Sequence, residues 1–508
     1  MGGEPHPLTD VWERMNTLRR PTALRAVLIV SILLVIAGVG VLLALRGPGG
    51  HPPAPAAGSP SPSILLIGID TFRADHLGPP GPGEPSRTPH LDQLARDGIR
   101  FEQCLSTAPW TLPSFASIFT GLRPYRHGAV GGERDYLSER HTTLAEHLAR
   151  AGYATAGYVG INYLTAQFGM DQGYVSPPPR GTDLTGLDQA GGVTRLSGDF
   201  FAEHRGAPGF VFTHYYDPHA PYAPPAPWHR KYYLGNECRP GEPLTARILA
   251  AGGVRGENAN RGMYDWLAGV TDPRFPPAQY AAEVNYTDDH VGRLIARLKE
   301  LGLYDGMLIV VVADHGEHLG EHGFFYTHYL PYQETIHVPL LVKLPGNAGA
   351  GRVVAAPVST LDLMPTVLEI AGIAVPDTLD GRSLARVLLG NAKAPPRDLL
   401  AEQGSDPGEF CKTLVAWPWK LMLWREGAQE RTALFDLATD PGETRDASAD
   451  HPEEAARLAA RLRATYDPAT PLGRAPPGRR ANVGKSDIRL LESLGYVHKP
   501  PANAAGEG

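Results

Sequence analysis

Three apolar runs in this chain end in chemistry. "SILLIGID" stops at Asp70, "GFVFTHYYD" at Asp217 with His219 following in "DPHAPY", and "MLIVVVAD" at Asp314 with His315 opening "HGEHLGEHG". Carboxylate oxygens and an imidazole nitrogen suit a divalent cation, and buried carboxylates gathered without one repel each other. Taken singly, Asp70 could be a polar residue at a strand boundary and the His-rich stretch a solvated loop. Their joint occurrence, each behind a buried run, predicts one shared site. A fourth stretch, "APWTLPSFASIFTG" at 108–121, surrounds Thr111 with Pro, Ser and Gly and leaves open whether Thr111 caps a helix or acts as a nucleophile.

The elements that must position these groups alternate in type. Short apolar runs at 63–70, 209–217, 307–314 and 338–344 predict buried strands, and "PHLDQLARDG", "TTLAEHLARAG" and 281–302 predict helices between them. Thr88 before Pro89 predicts an N-cap, with Gly98 ending that helix. Strands alternating with helices form a mainly parallel sheet with helices on both faces, and ligands bind at the carboxyl ends of its strands. Asp288 and Asp289 fall on the 281–302 helix and are expected on a solvated face.

The order of "ILLIGIDTFRADHLG", "TLPSFASIFTGLRPYRHG", "GYATAGY", "HYYDPHAPY", "VVADHGEHLGEHG" and "HVPLLVKLPG" resembles the sulfatase family of the alkaline phosphatase superfamily. "STLDLMPTVLEIAGI", "DGRSL" and "LFDLATDPGE" extend the resemblance over residues 63–465. It implies an alkaline-phosphatase-like α/β fold and places Thr111 at the position where the family's Cys or Ser is oxidised to formylglycine. Pro113 and Ser114 of that motif are retained, and Phe115 replaces its Arg. Thr71 follows Asp70 where calcium-binding members have a second acid, "VGIN" replaces a Gly-Lys segment, and His328 in "THYLPYQE" matches a family lysine.

These departures bear on one reaction. No formylglycine is expected, and threonine lacks the second hydroxyl by which a formylglycine hydrate expels sulfate. A threonine ester must be resolved by attack at the central atom, which is ordinary chemistry for phosphorus. The expected mechanism has Asp70, Asp314 and His315 binding one divalent metal that also coordinates Thr111. Thr111 attacks phosphorus or sulfur, and His219 with His328 stabilises developing charge or protonates the leaving oxygen. Mn²⁺ or Zn²⁺ is favoured by the reduced oxygen count, with Ca²⁺ as the alternative. The expected substrate is a phosphate or sulfate ester, phosphate slightly favoured, and an inactive binding protein is the remaining class.

Arg126 and His127 fit a structural role or a substrate contact equally. Asp217 is expected to orient its loop.

Residues 26–45, "AVLIVSILLVIAGVGVLLAL", are uncharged and long enough to cross a bilayer. Arg14, Arg19, Arg20 and Arg25 precede the run and only Arg46 follows closely, so residues 1–25 are expected in the cytoplasm and the catalytic part outside it. A cleaved signal peptide, with "APA" at 54–56, is the alternative. A Pro/Gly-rich linker (46–62), a catalytic domain (63–385), a small C-terminal α+β subdomain (386–468) and a mostly flexible tail (469–508) complete the expected organisation.

A net charge of −7 over 508 residues gives no basic surface for nucleic acid, and 42% hydrophobic residues support a folded core. Cys104, Cys238 and Cys411 have no metal or redox spacing and are expected as isolated thiols, unless two of them pair outside the cell.

Overall fold

Apolar residues at every position of a short run mean that both faces of the strand are covered. Strand β1 (Ile64–Ile69) meets this condition with all six residues buried. It is an interior strand of the sheet in the computed structural model, which describes residues 61–483 apart from 80, 82, 83, 85, 131–134, 176–188, 252–260, 391, 407–408, 467–480 and 482. The expected cytoplasmic segment, the apolar run at 26–45, most of the linker and the residues beyond 483 lie outside the described residues. Among the described residues no helix is long and apolar enough to cross a membrane.

The other principal strands are β2 (Ile99–Leu105), β3 (Ala154–Val159), β4 (Gly209–Tyr215), β5 (Leu308–Ala313), β6 (His337–Lys343) and β7 (Val358–Ser359). Their order is β7-β2-β6-β5-β1-β4-β3, with Arg352–Val354 also pairing on β2. β1 runs parallel to β4 on one side and to β5 on the other, Gly68 lying opposite both His214 and Val312. The sheet is mixed: β6 is antiparallel to both β2 and β5. Its apolar run, "HVPLLVK", carries no signal of direction, since a strand covered on both faces reads the same either way.

The antiparallel course of β6 gives the β5–β6 connection its shape. Residues 314–336 leave and re-enter the same edge of the sheet, and Gly316 N–H donates to Thr335 O at 2.8 Å across the neck. A β-carbon on Gly316 would collide with the Glu334 carbonyl.

Helix α1 (Pro89–Asp97) starts after Thr88 and ends at Gly98, but Thr88 does not cap it. The Thr88 hydroxyl accepts from Gly78 N–H at 2.7 Å and donates to Asp92 at 3.2 Å. The caps come from α5 (Phe275–Glu300), where Asp288 accepts from His90 N–H at 3.0 Å and Leu91 N–H at 2.8 Å. Asp288 is therefore buried and structural, not on a solvated face. Between these two helices run α2 (Thr111–Thr120), α3 (Leu144–Arg150), closed by a Thr143–Glu146 capping box, and α4 (Gln189–Glu203).

Strands β8 (Leu399–Asp406), β9 (Glu409–Ala416), β10 (Trp419–Glu426) and β11 (Gln429–Asp436) form a consecutive antiparallel sheet. Helix α6 (Pro452–Ala464) buries Leu458 and Leu462 against Leu414, Leu421 and Leu434 of that sheet. Glu402 of β8 ties it to the rest of the fold: it accepts from Tyr125 N–H at 2.8 Å and from Tyr466 OH at 3.1 Å and pairs with Lys412. All three cysteines are free thiols, Cys104 and Cys411 buried and Cys238 exposed.

Candidate active site

Asp70 and Asp314 follow β1 and β5 directly, so the parallel register of adjacent strands delivers both carboxylates to one edge. His315 comes next in the chain. One ligand atom from each of Asp70, Asp314 and His315 lies within 4.8 Å of the others, and all three residues are buried. His315 Nε2 is 3.6 Å from Asp70 Oδ1 and 3.4 Å from Asp314 Oδ2. Its Nδ1 lies 2.9 Å from Gly316 O, which can only accept, so Nδ1 carries the proton and Nε2 presents a lone pair to the carboxylates.

Thr111 is the first residue of α2, and its N-cap, Trp110, makes no side-chain cap bond. The Thr111 hydroxyl sits 3.2 Å from His315 Nε2. Ser114, one turn on, fixes that position: its hydroxyl donates to Asp314 O at 2.7 Å and lies 2.9 Å from Ser106 Oγ. Ser114 thus pins the first turn of α2 to the end of β5. The Thr111 hydroxyl faces the acids.

Phe115 is fully buried and lies edge-on to Phe212 and His214, with ring centroids 5.2 Å away in each case. A β-carbon at Gly68 would come within 2.6 Å of the Phe115 ring. Gly68→Ala is therefore expected to destabilise the fold by about 1–3 kcal/mol, the usual cost of overpacking a filled core, measured by urea unfolding. An unchanged midpoint would mean that the ring moves aside freely.

His219 and His328 stand beside this group. The His328 ring lies 4.3 Å from that of His315 and 5.4 Å from that of His219. His328 Nδ1 is 2.8 Å from Pro109 O, and His219 Nδ1 is 2.5 Å from Ala220 O and 2.9 Å from Tyr216 OH. Burial holds His219 well below the usual imidazole range, with the neighbouring His328 adding to the effect. In the resting site His219 is thus a neutral base with its Nδ1 proton held by backbone, and it can accept a proton before it can donate one.

Charge in the site is unbalanced. Burial raises Asp70 well above the carboxylate range, helped by Asp314 and Glu317, and pushes Asp314 up to about 8. Neither Asp70 oxygen, nor Asp314 Oδ2, nor either oxygen of the buried Glu317 has a well-formed hydrogen bond. Unpaired buried carboxylates cost several kcal/mol each unless something compensates them. A divalent cation among Asp70, Asp314 and His315 fits that donor set and the orphaned oxygens.

Asp217 lies outside the cluster. Its carbonyl accepts from Thr287 Oγ1 at 3.0 Å, and its carboxyl raises the neighbouring Glu283, which anchors Ala223 N–H at 2.8 Å. Arg126 pairs with Asp380 at 2.9 Å and His127 bonds Ser117 at 3.0 Å, both away from the acids. Two residues not singled out in the sequence stand at the site. His214, within β4, is 3.6 Å from Asp70 Oδ2, and Glu317 follows His315 by two positions. A histidine at the penultimate position of an otherwise apolar strand was the available signal for the first. For the second it was an acid inside the same "DHGEH" stretch.

An α/β sheet whose central strand ends deliver acids, imidazoles and one hydroxyl to a single edge is the frame of an ester hydrolase. The chain belongs to the sulfatase family, whose sequence pattern matches residues 62–373; a second pattern, that of the N-sulphoglucosamine sulphohydrolase C-terminal region, matches residues 320–467. It is 26% identical to an arylsulfatase of Clostridium perfringens over 75% of this chain and 89% of that protein. It is 30% identical to the multifunctional alkaline phosphatase superfamily protein PehA of Trinickia caryophylli over 67% of this chain and 79% of that protein. Among solved structures, a phosphonate monoester hydrolase from Silicibacter pomeroyi superposes with a TM-score of 0.63 at 25% identity, covering 80% of this chain and 95% of the other.

Proposed function

We propose that this protein is a metal-dependent phosphate ester hydrolase or transferase that works through Thr111. The observation that carries the reading is the Thr111 hydroxyl at 3.2 Å from His315 Nε2, beside the buried Asp70 oxygens and Asp314 Oδ2, which have no well-formed hydrogen bond. Asp70, Asp314, His315 and Thr111 would hold one divalent ion, Mn²⁺ or Zn²⁺ by its mixed N/O donor set, which supplies Lewis-acid charge for the phosphoryl oxygens and lowers the pKa of a bound hydroxyl.

The chain's own residues supply the rest. The Ser114–Asp314 bond holds the nucleophile at the edge of the sheet, and the full burial of Thr111 keeps its hydroxyl out of bulk water. Thr111 Oγ attacks phosphorus as its proton passes to a neighbouring base, and the P–O bond to the leaving group breaks on the opposite side, the base returning that proton to the leaving oxygen. In the second step His219 Nε2 is suited to take a proton from the water or alcohol whose oxygen attacks phosphorus, and to deliver it to Thr111 Oγ as the P–Oγ bond breaks, which restores the hydroxyl and releases the phosphate product. Phosphorus is preferred because a threonine ester must be cleaved at the central atom, and because Phe115 stands where formylglycine enzymes carry Arg.

The sulfate reading is supported by the arylsulfatase relative of Clostridium perfringens. Full-length protein assayed with a phosphodiester, a phosphonate monoester and an aryl sulfate is expected to give kcat/KM at least about tenfold (~1.4 kcal/mol) higher on a phosphorus ester. Faster turnover of the sulfate overturns the preference. Anchoring through residues 26–45 with the catalytic part outside the cytoplasm belongs to the same proposal, and protease accessibility in intact cells checks it.

A further inference from the structure

His214 is fully buried, and neither ring nitrogen has a hydrogen-bond partner among the described residues. A buried imidazole with two idle nitrogens costs free energy that an apolar residue of the same size would not, so a core role does not account for it. It faces Asp70: Nε2 lies 3.6 Å from Oδ2, while Oδ1 of the same carboxylate faces His315 at 3.6 Å.

Two facts decide what His214 does there. An imidazole carries at least one N–H, and either ring nitrogen can hold it. An N–H facing a carboxylate is attracted and a lone pair is repelled, which places the proton on Nε2. Asp70, Asp314 and His315 share one cation-sized space to which His214 does not belong. Phe115 holds the imidazole plane from the side, at 83° to it, in the room left by Gly68 on the neighbouring strand.

We propose that His214 is a positioning residue for the metal centre: its Nε2–H holds the Oδ2 side of Asp70, so that Oδ1 is turned toward the ion shared with Asp314 and His315. The inference rests on the metal-dependent reading above. Loss of an outer polar contact to a ligand typically weakens metal affinity by about 10- to 100-fold without changing the ligand set.

Calorimetric titration of Mn²⁺ or Zn²⁺ into metal-stripped protein tests it. His214→Ala is expected to weaken binding by about 10- to 100-fold, and His214→Gln, which restores an N–H near the Nε2 position, to recover most of that loss. The visible absorption of Co²⁺-loaded protein is expected to be the same in parent and variants. If the Ala variant does not fold, comparing Gln with Leu, which fill similar volumes with and without an N–H, gives the same contrast. Equal affinity of parent and His214→Ala, or no recovery with Gln, overturns the positioning role. A changed Co²⁺ spectrum overturns it in favour of direct ligation. A parent protein that binds no divalent ion at all defeats the metal-dependent reading itself.

Discussion

Thr111→Ala is expected to lower kcat/KM by about 10⁴-fold or more, the scale on which hydrolytic sites respond to loss of their nucleophile. Its hydroxyl is the one group that combines contact with His315 Nε2 at 3.2 Å and a rigid mount at the start of α2. The remaining groups would still bind and polarise the ester, so residual activity above the uncatalysed rate is consistent with the assignment. Thr111→Ser keeps the hydroxyl and loses one buried methyl. It is expected to stay within about tenfold of the parent while costing about 1 kcal/mol in unfolding free energy. Quenching a reaction with slow substrate and mapping the adduct by mass spectrometry should find the ester on residue 111. Full activity in the Ala variant, or an adduct elsewhere, removes Thr111 as nucleophile.

Asp70→Asn is expected to cost at least about 10³-fold in kcat/KM, or roughly 4 kcal/mol of transition-state stabilisation. Its signature in stability is more specific. With metal present, the parent should melt higher than the variant, since a ligand that binds only the folded state contributes about 4 kcal/mol at a thousandfold excess over Kd. After chelation the order should reverse, because the variant no longer buries the Asp70 carboxylate against Asp314 and Glu317. Thermal melts of both proteins with Mn²⁺ and with EDTA check the crossing. A variant less stable than the parent under both conditions would mean that the Asp70 carboxylate is satisfied by protein groups alone.

Much of the site was legible because apolar runs that end in acids mark strand ends, and strand ends in such sheets meet. Asp70, Asp314 and His315 come together for that reason, through the parallel register of β1 and β5. Three features were not legible, each for a physical cause. β6 is antiparallel, and "HVPLLVK" has no polarity that betrays its direction. Asp288 caps α1 from α5, a contact between elements about 200 residues apart that no local pattern encodes. His214 sits inside a buried strand, where a single imidazole is indistinguishable from a packed core residue until its neighbours are known. The sequence resemblance located Thr111 and His328, whose spacing alone has no periodicity to follow.

The closed neck at Gly316 and Thr335 has a consequence for how such an enzyme can diversify. Residues 317–334 begin and end at one point of the sheet edge, and the backbone bond at their base holds whatever lies between them. Lengthening a loop whose ends are already joined adds little entropic cost, about 0.6 kcal/mol for each doubling. The segment is therefore an exchangeable cassette: Glu317 and His328 must keep their places, but the stretch between them can be rewritten to admit a different leaving group without disturbing the strands that hold the acids.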